Sequence, residues 1–151
     1  LVLVGRGSED YTAHLKALIA ERQVENKVVL AGFRNPVLPY VAACDIGVLP
    51  SIVPEGCSLS AQEHMAMGHP IIATNNGGQR EYIENGKNGL LVPPNDVQAL
   101  ADALRQLIDD VSQRQQMGQQ AKADFYDHLN YDHFYAKMQK IYNGNDNTNE
   151  K

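Results

Sequence analysis

Five short apolar segments, separated by stretches of helical periodicity, constrain the fold of this chain more than any other feature. The segments cover residues 1–5, 27–32, 45–50, 69–74 and 89–93. Each is rich in Val, Ile or Leu on consecutive positions, which is typical of strands covered on both faces. Strands that alternate with helices predict βαβ crossovers. The sequence therefore predicts an α/β fold with a parallel sheet and helices on both faces.

The stretches between and after the strands predict seven helices. They cover residues 9–23, 35–44, about 58–67, 77–85, 95–110, about 112–128 and 131–142. The fifth begins at Asn95 or Asp96 as N-cap and repeats apolar residues at helical spacing. We expect residues 1–142 to form one Rossmann-like domain with a C-terminal helical extension, followed by a polar, disordered tail at 143–151. The chain begins inside an apolar run without Met, so we expect it to be N-terminally truncated.

Composition excludes several classes of function. A net charge of −5 over 151 residues argues against a nucleic-acid or anionic-membrane surface. Cys44 and Cys57 have no CxxC spacing, which predicts no disulfide framework, no zinc site and a reducing compartment. The five histidines include no pair three or four residues apart, so the sequence predicts no helical metal site. We therefore expect a cytoplasmic protein without a signal peptide, membrane span or metal.

Ligands of open parallel sheets bind beyond the carboxyl ends of the strands. The loops expected there cover residues 5–10, 32–35, 50–58 and 75–79, and all contain Gly, which allows a ligand close to the backbone. The first, GRGSED, is not a complete GxGxxG pattern, so it indicates a dinucleotide site only weakly.

The segment PEGCSLSAQEHMAMG, residues 54–68, contains the strongest candidate site. The free N–H groups of Cys57, Ser58 and Leu59 at the start of the third helix suit a phosphate. Glu55 precedes this helix start, and Glu63 lies about 7.5 Å along the axis inside the helix. A carboxylate accepts hydrogen bonds from neighbouring hydroxyls, as found on a sugar and on a ribose. The pattern therefore favours a nucleotide-sugar site.

Structural interpretations of the same residues stand beside the functional one. Ser60 and Glu63 match the S-x-x-E capping box, which would make Glu63 a helix cap, and Glu55 would then be a solvated loop charge. However, the cap does not explain Glu55. In addition, Glu63 shares a helix face with Leu59, Ala66 and Met67, where a carboxylate needs a partner. Cys57 is a small residue in a tight loop rather than a nucleophile, because no His stands at motif spacing to act as its base.

A series of ordered motifs resembles glycosyltransferase family 4, the group 1 retaining glycosyltransferases of the two-domain GT-B fold. They are Pro50-Ser51 at a strand end, the pair Glu55 and Glu63, Met65 to Thr74, Gly77-Gly78 with Glu81, and Asn88-Gly89 with Val92. The resemblance covers essentially the whole chain, from LVLVGRGS to the final helices. It implies that this chain is the donor-binding half of such an enzyme.

The resemblance also implies residue roles. Glu55 contacts the donor sugar and is the implied catalytic residue, while Glu63 contacts the ribose. The backbone at Gly56, Cys57, Ser58 and Leu59 holds the diphosphate. The segment from Val29 to Gly32 lies where the family holds the base, and Gly5 borders the same cleft. A nucleotide-diphosphate-sugar is then a substrate, and no cofactor is expected.

Several departures from the family pattern are visible. Ser58 stands where Gly is frequent, His64 replaces Ala, and Arg6 replaces Asp. The family's upstream Arg and Lys, which neutralise the diphosphate, and its acceptor-binding first domain are absent from this chain. We therefore expect these 151 residues alone to be inactive. We expect the missing acceptor domain of the same protein to be the partner of this chain. Any peripheral contact of the whole protein with a membrane is expected to be made through that domain.

The implied function is transfer of a hexose-type sugar to a glycan, lipid-linked or small-molecule acceptor in polysaccharide or glycoconjugate biosynthesis. The alternative is a non-catalytic nucleotide-binding or assembly module of similar fold.

Overall fold

The computed structural model describes residues 1–144, and within this range strands and helices alternate as the sequence predicts. The elements are, in order, β1 (Val2–Val4), α1 (Glu9–Glu21), β2 (Val29–Gly32), α2 (Leu38–Ala42), β3 (Gly47–Leu49), α3 (Leu59–Met67), β4 (Ile71–Thr74), β5 (Gly89–Val92), α4 (Val97–Asp109), α5 (Val111–Asp124) and α6 (Tyr131–Tyr142). A 3₁₀ helix, Gly78–Glu81, lies between β4 and β5, and a π-helical turn, Phe125–Leu129, follows α5. Most of the predicted polar tail, residues 145–151, lies outside the described range.

All strand pairings between these elements are parallel. Strand β1 pairs with β2, and β4 lies between β3 and β5 in a three-stranded sheet. The chain divides into two compact units, Leu1–Tyr40 with the first sheet and the residues from Val41 onward with the second. The predicted α/β class with parallel strands and crossover helices is confirmed.

The first unit buries little. Helix α1 begins at the N-cap Ser8, whose side chain accepts a hydrogen bond from the Tyr11 N–H at 3.2 Å, and it contains no buried residue. Val2 and Val4 of β1 are 42% and 37% exposed, so the prediction that this strand is covered on both faces is wrong. The first sheet has only two strands, and α1 contributes no buried residue, so the apolar surface in this unit is too small to enclose β1.

The core of the second unit lies on both faces of β4. Ile71 and Ala73 pack in one cluster with Ala61 and Met65 of α3. Ile72, on the opposite face, packs in the second cluster, and the α4 residues of that cluster are Ala103 and Leu107. This alternation follows from the period of two in a strand. The predicted placement of helices on both faces is therefore confirmed for this sheet.

The predicted helix over 77–85 is wrong, because only the 3₁₀ helix Gly78–Glu81 forms there. The buried Asn88 side chain accepts a hydrogen bond from the Glu84 N–H at 2.8 Å and donates one to the Tyr82 carbonyl at 3.0 Å. These bonds occupy backbone groups that a continued helix would pair internally.

Two further helix boundaries differ from the prediction. Helix α2 covers Leu38–Ala42 rather than 35–44, because Pro36 disfavours helical backbone at the residue before it. Helix α5 starts one residue earlier than predicted and ends at Asp124, where the π-helical turn begins.

Candidate functional site

The candidate site is built on the loop of residues 50–58, which leaves the carboxyl end of β3 and leads into α3. Two side chains from the end of β4 fix the first half of this loop. The Thr74 hydroxyl donates to the Ser51 carbonyl at 2.5 Å, and the Asn76 amide donates to the Ile52 carbonyl at 3.0 Å. The loop is thus anchored at the carboxyl edge of the sheet, where ligands of parallel α/β folds bind.

Gly77 and Gly78 form a floor under the second half of the loop. Gly77 pairs with Glu55 as an isolated parallel bridge, and the Gly78 N–H donates to the Glu55 carbonyl at 2.7 Å. Gly77 has a φ of 79°, and a Cβ atom on it would lie 2.5 Å from the Glu55 carbonyl oxygen. A Cβ on Gly78 would overlap the Gly56 carbonyl. Only glycine allows this close approach of two backbone segments.

Glu55 is partly buried at the centre of this loop. One oxygen of its carboxylate accepts a hydrogen bond from the Ser51 hydroxyl, four residues earlier. The backbone of Glu55 is fixed by Gly77 and Gly78, and its side chain is oriented by Ser51. The structure therefore holds a charged carboxylate in one place just before α3.

Helix α3 begins at Ser58, as the sequence predicts. The buried Ser58 side chain is the N-cap and accepts a hydrogen bond from the Ala61 N–H at 3.4 Å. Because the N-cap is Ser58, position N3 is occupied by Ala61 rather than by Glu63. The capping-box interpretation, in which Ser60 and Glu63 form the helix start, is wrong.

The first turn of α3 leaves N–H groups that can bind an anion. Within residues 1–144, the N–H groups of Cys57 and Leu59 donate no hydrogen bond to another residue. Leu59 is 73% exposed, and the Cys57 side chain is also exposed and accepts a hydrogen bond from the Gln62 amide. The partial positive charge of the helix N-terminus adds to these donors, which suit a phosphate or diphosphate.

Glu63 lies inside α3 and is only partly buried. Its helix face carries Leu59 and Met67, which are 73% and 39% exposed, whereas Ala61 and Met65 point into the core. The expectation that Glu63 lies on a packed apolar face is therefore wrong. Glu63, Leu59 and Met67 lie on the side of α3 that faces away from the core. The Glu63 side chain forms no hydrogen bond or ion pair with another residue in the described part of the chain.

His64 follows Glu63 and packs against β3. A Cβ on Gly47 would lie 2.7 Å from the His64 ring, so the helix approaches the strand at a glycine. The Nδ1 atoms of His64 and His69 are 3.3 Å apart. Burial, together with the smaller effect of the neighbouring His69, lowers the pKa of His64 from 6.5 to about 4. His64 is therefore neutral at physiological pH.

Tyr82 is a part of the site that sequence reasoning missed. Its ring packs against the cluster formed by Ala61, Met65 and Ile83. Burial raises the pKa of the Tyr82 hydroxyl, the Ser58 backbone N–H opposes this rise, and the nearby Cys57 and Glu55 side chains add to it. The Tyr82 hydroxyl is buried. No local pattern in the sequence predicts a functional role for Tyr82, because an aromatic residue after GG-x-x-E is typical of a residue that packs in the core.

The remaining predicted site residues belong to the first unit. The Gly5 N–H donates to the Gly32 carbonyl at 3.0 Å, which joins the ends of β1 and β2. Gly32 has a φ of 70°, and Val29 is 56% exposed. The Arg6 guanidinium lies 4.3 Å from the centre of the Phe33 ring. The structure therefore brings Gly5 and Gly32 together and places the residues from Glu55 to Glu63 in the other unit.

These features define a parallel α/β protein in which free N–H groups at the start of α3 lie between Glu55, before the helix, and Glu63, inside it. Comparison with known proteins then identifies the family. Residues 1–124 match the family model described as glycosyl transferases group 1, and the chain belongs to this family.

Curated relatives include bacterial proteins that are named as glycosyltransferases. The chain is 36% identical over 105 residues to the putative colanic acid biosynthesis glycosyltransferase WcaL of Salmonella typhimurium, covering 65% of this chain and 26% of the relative. It is 31% identical over 142 residues to the N-acetyl-alpha-D-glucosaminyl L-malate synthase of Bacillus anthracis, covering 94% of this chain and 36% of the relative. The chain thus spans about a third or less of the length of these relatives.

Solved structures of GT-B glycosyltransferases share the fold. Anabaena HepE in complex with UDP superposes with a TM-score of 0.90 at 29% identity, covering 95% of this chain and 40% of HepE. The HepE complex with UDP-glucose gives a TM-score of 0.87 at the same identity and coverage. The resemblance to group 1 glycosyltransferases of the GT-B fold is confirmed. Among the described residues, no helix is both long and apolar enough to span a membrane.

Proposed function

We propose that this chain binds the nucleotide-sugar donor of a retaining glycosyltransferase that transfers a hexose-type sugar. The observation that carries the proposal is the arrangement around the start of α3. The Glu55 carboxylate is held by Ser51 immediately before α3, and the N–H groups of Cys57 and Leu59 at the helix start are free. The Glu63 side chain, inside α3, has no hydrogen-bond or ion-pair partner among the described residues. Two carboxylates therefore flank a site for a diphosphate.

The helix start suits the leaving group of the reaction. A nucleoside diphosphate gains negative charge as the sugar departs, and N–H donors that are fixed before the reaction stabilise such charge. The backbone of Gly56, Cys57, Ser58 and Leu59 binds the diphosphate in this proposal. The floor of Gly77 and Gly78 fixes these donors, so little reorganisation is needed when the charge develops.

Each carboxylate has a separate role. Glu55 binds hydroxyl groups of the donor sugar and lies near the anomeric carbon, where positive charge develops as the glycosidic bond breaks. Glu63 binds the ribose hydroxyls. Gly5, Val29 and Gly32 border the base. The last assignment is supported by the likeness of the whole chain to HepE, which has been solved with UDP and with UDP-glucose.

The acceptor is bound by a further domain of the same protein in this proposal. Support comes from the 40% of HepE that the chain covers. The acceptor is a glycan, a lipid-linked intermediate or a small molecule. The names of relatives that make colanic acid and amylovoran favour polysaccharide or glycoconjugate biosynthesis.

Calorimetry on the full-length protein tests the roles of the two carboxylates. The ligands are a nucleoside diphosphate and its sugar conjugate, chosen from a panel of UDP, GDP and ADP derivatives by the affinity of the wild type. Glu63→Gln should weaken both ligands, because both carry the ribose. Glu55→Gln should weaken mainly the sugar conjugate. Hydrogen bonds to a charged group are about twice as strong as neutral ones, so we expect losses of roughly five- to tenfold.

Glu21→Gln is the matched control, because Glu21 is an exposed carboxylate at the end of α1. It should leave both affinities unchanged. Equal losses for both ligands in both site variants would contradict the assignment of the two carboxylates. Failure of the wild type to bind any ligand of the panel would contradict the proposed function.

A further inference from the structure

Arg6 is a charged side chain to which the proposed function assigns no role. Its guanidinium carbon lies 4.3 Å from the centre of the Phe33 ring, within the range of a cation–π contact. Within residues 1–144, the Arg6 guanidinium forms no hydrogen bond or ion pair with another residue. A guanidinium carries five N–H donors and no acceptor. The donors of Arg6 are therefore available to a ligand, while the aromatic ring holds the group in place.

Arg34, the residue after Phe33, shows what an occupied arginine looks like in the same segment. Its Nε donates to the Tyr40 hydroxyl at 2.7 Å, and its Nη1 donates to the Phe33 carbonyl at 3.0 Å. These bonds tie Arg34 to the backbone and side chains of its own segment. Of the two arginines next to Phe33, Arg6 is therefore the one whose donors are free.

Arg6 and Phe33 directly follow Gly5 and Gly32, which the proposed function places at the base. The Gly5 N–H donates to the Gly32 carbonyl at 3.0 Å, so β1 and β2 end side by side. No atom lies within 4 Å of the position that a Cβ would take on either glycine, so the backbone there is open to a ligand. Phe33 is 54% exposed. A fixed guanidinium with free donors thus stands beside the open ends of these two strands.

The bases of nucleotides differ in what they present to such donors. Uracil carries a carbonyl oxygen at C4 and guanine carries one at C6, and both oxygens accept hydrogen bonds. Cytosine and adenine carry an amino group at these positions, which donates and therefore opposes the N–H groups of an arginine. A guanidinium is always charged and has no acceptor with which to satisfy an amino group. It therefore favours a base with the carbonyl oxygen.

We propose that Arg6 is a specificity-determining residue of the donor site. It donates to the carbonyl oxygen of uracil or guanine and thereby selects these bases over cytosine and adenine. Phe33 is a positioning residue, because it acts by holding the guanidinium over its ring. This inference rests on the proposed function, in which the base lies at Gly5 and Gly32.

Calorimetry on the full-length protein with matched nucleoside diphosphates tests the selection. Whichever of UDP and GDP binds the wild type more tightly is compared with its amino counterpart, CDP for UDP or ADP for GDP. The wild type should prefer the carbonyl base by about tenfold, the size expected for one arginine–base pair. Arg6→Gln should lower the affinity for the carbonyl base by about tenfold and should leave the affinity for the amino base within twofold or raise it. Because Arg6 is exposed, its denaturation midpoint should stay unchanged.

Two further variants separate positioning from contact and from net charge. Phe33→Leu should lower the affinity for the carbonyl base about threefold, and by less than twofold in an Arg6→Gln background, because the ring acts through the guanidinium. Arg22→Gln is the matched control. Arg22 is an exposed arginine at the end of α1, paired only with the neighbouring Glu21, so its loss should leave all affinities unchanged.

Several outcomes would overturn the inference while the proposed function stands. Equal losses for the carbonyl and the amino base in Arg6→Gln would show that Arg6 contacts the diphosphate, which all four ligands share. A wild type that binds CDP or ADP as tightly as the carbonyl counterpart would show that no selection occurs. A loss in Phe33→Leu that persists in the Arg6→Gln background would overturn the positioning role. If the wild type binds none of the four ligands, the proposed function fails and this inference fails with it.

Discussion

The buried His64 should make the stability of this protein depend on pH. Burial and the neighbouring His69 lower the pKa of His64 from 6.5 to about 4 in the folded protein. In the unfolded chain the imidazole binds a proton below about pH 6.5. The unfolded state therefore binds more protons than the folded state between pH 6.5 and 4, and the free energy of unfolding should fall as the pH falls through this window.

The size of this loss follows from the two pKa values. A pKa difference from 6.5 to about 4 corresponds to roughly 3 kcal/mol at about 1.4 kcal/mol per pKa unit. The side chain is only partly buried, so solvent screening reduces the expected loss to about 2 kcal/mol. His69, whose pKa is also lowered by burial, contributes in the same direction, although Asp45 opposes its shift.

Urea denaturation, followed by circular dichroism at intervals from pH 7.5 to 4, measures the effect. His64→Asn cannot titrate in this range and keeps a polar atom near the position of Nδ1. The wild type should lose about 2 kcal/mol more than this variant over the window. His14→Asn is the control, because His14 is exposed on α1 and should follow the wild type. Parallel losses in the wild type and His64→Asn would refute the assignment of the buried, neutral imidazole.

Three further predictions concern the loop of residues 50–58 and the chain as a whole. Ser58→Ala should lower the free energy of unfolding by about 0.5–1 kcal/mol, since Ser58 is the N-cap of α3, whereas Ser60→Ala should change it little. Equal losses for the two variants in urea denaturation would contradict Ser58 as the N-cap. Gly78→Ala should lower the free energy of unfolding by at least about 2 kcal/mol, because its Cβ would overlap the Gly56 carbonyl. Gly56→Ala should lower it little, because the space around its Cβ position is open. A small loss in Gly78→Ala would show that the floor formed by Gly77 and Gly78 is not rigid. Finally, residues 1–151 alone should transfer no sugar, because the proposed acceptor site lies elsewhere in the protein, and turnover detected with purified chain and acceptor would disprove this.

The sequence by itself determined the features that depend on neighbouring residues. The strand segments and most helices follow from apolar spacing, and six of the seven predicted helices are found with ends shifted by up to four residues. The start of α3 at Ser58 and the positions of Glu55 and Glu63 around it are also local, because a loop followed by a helix fixes how far apart these residues lie along the chain. The order of motifs was enough to indicate the family, which the match over residues 1–124 confirms.

The tertiary structure decided which of these residues contact one another. Periodicity placed Glu63 on a face with Leu59 and Met67, but only the packing of Ala61 and Met65 against β4 showed that this face points away from the core. Likewise, Asn76 and Gly77 contact the loop of residues 50–58 through hydrogen bonds and strand pairing between residues more than twenty positions apart. Hydrogen bonds and packing over such distances depend on how the strands are ordered in the sheet, and no local pattern of residues encodes that order.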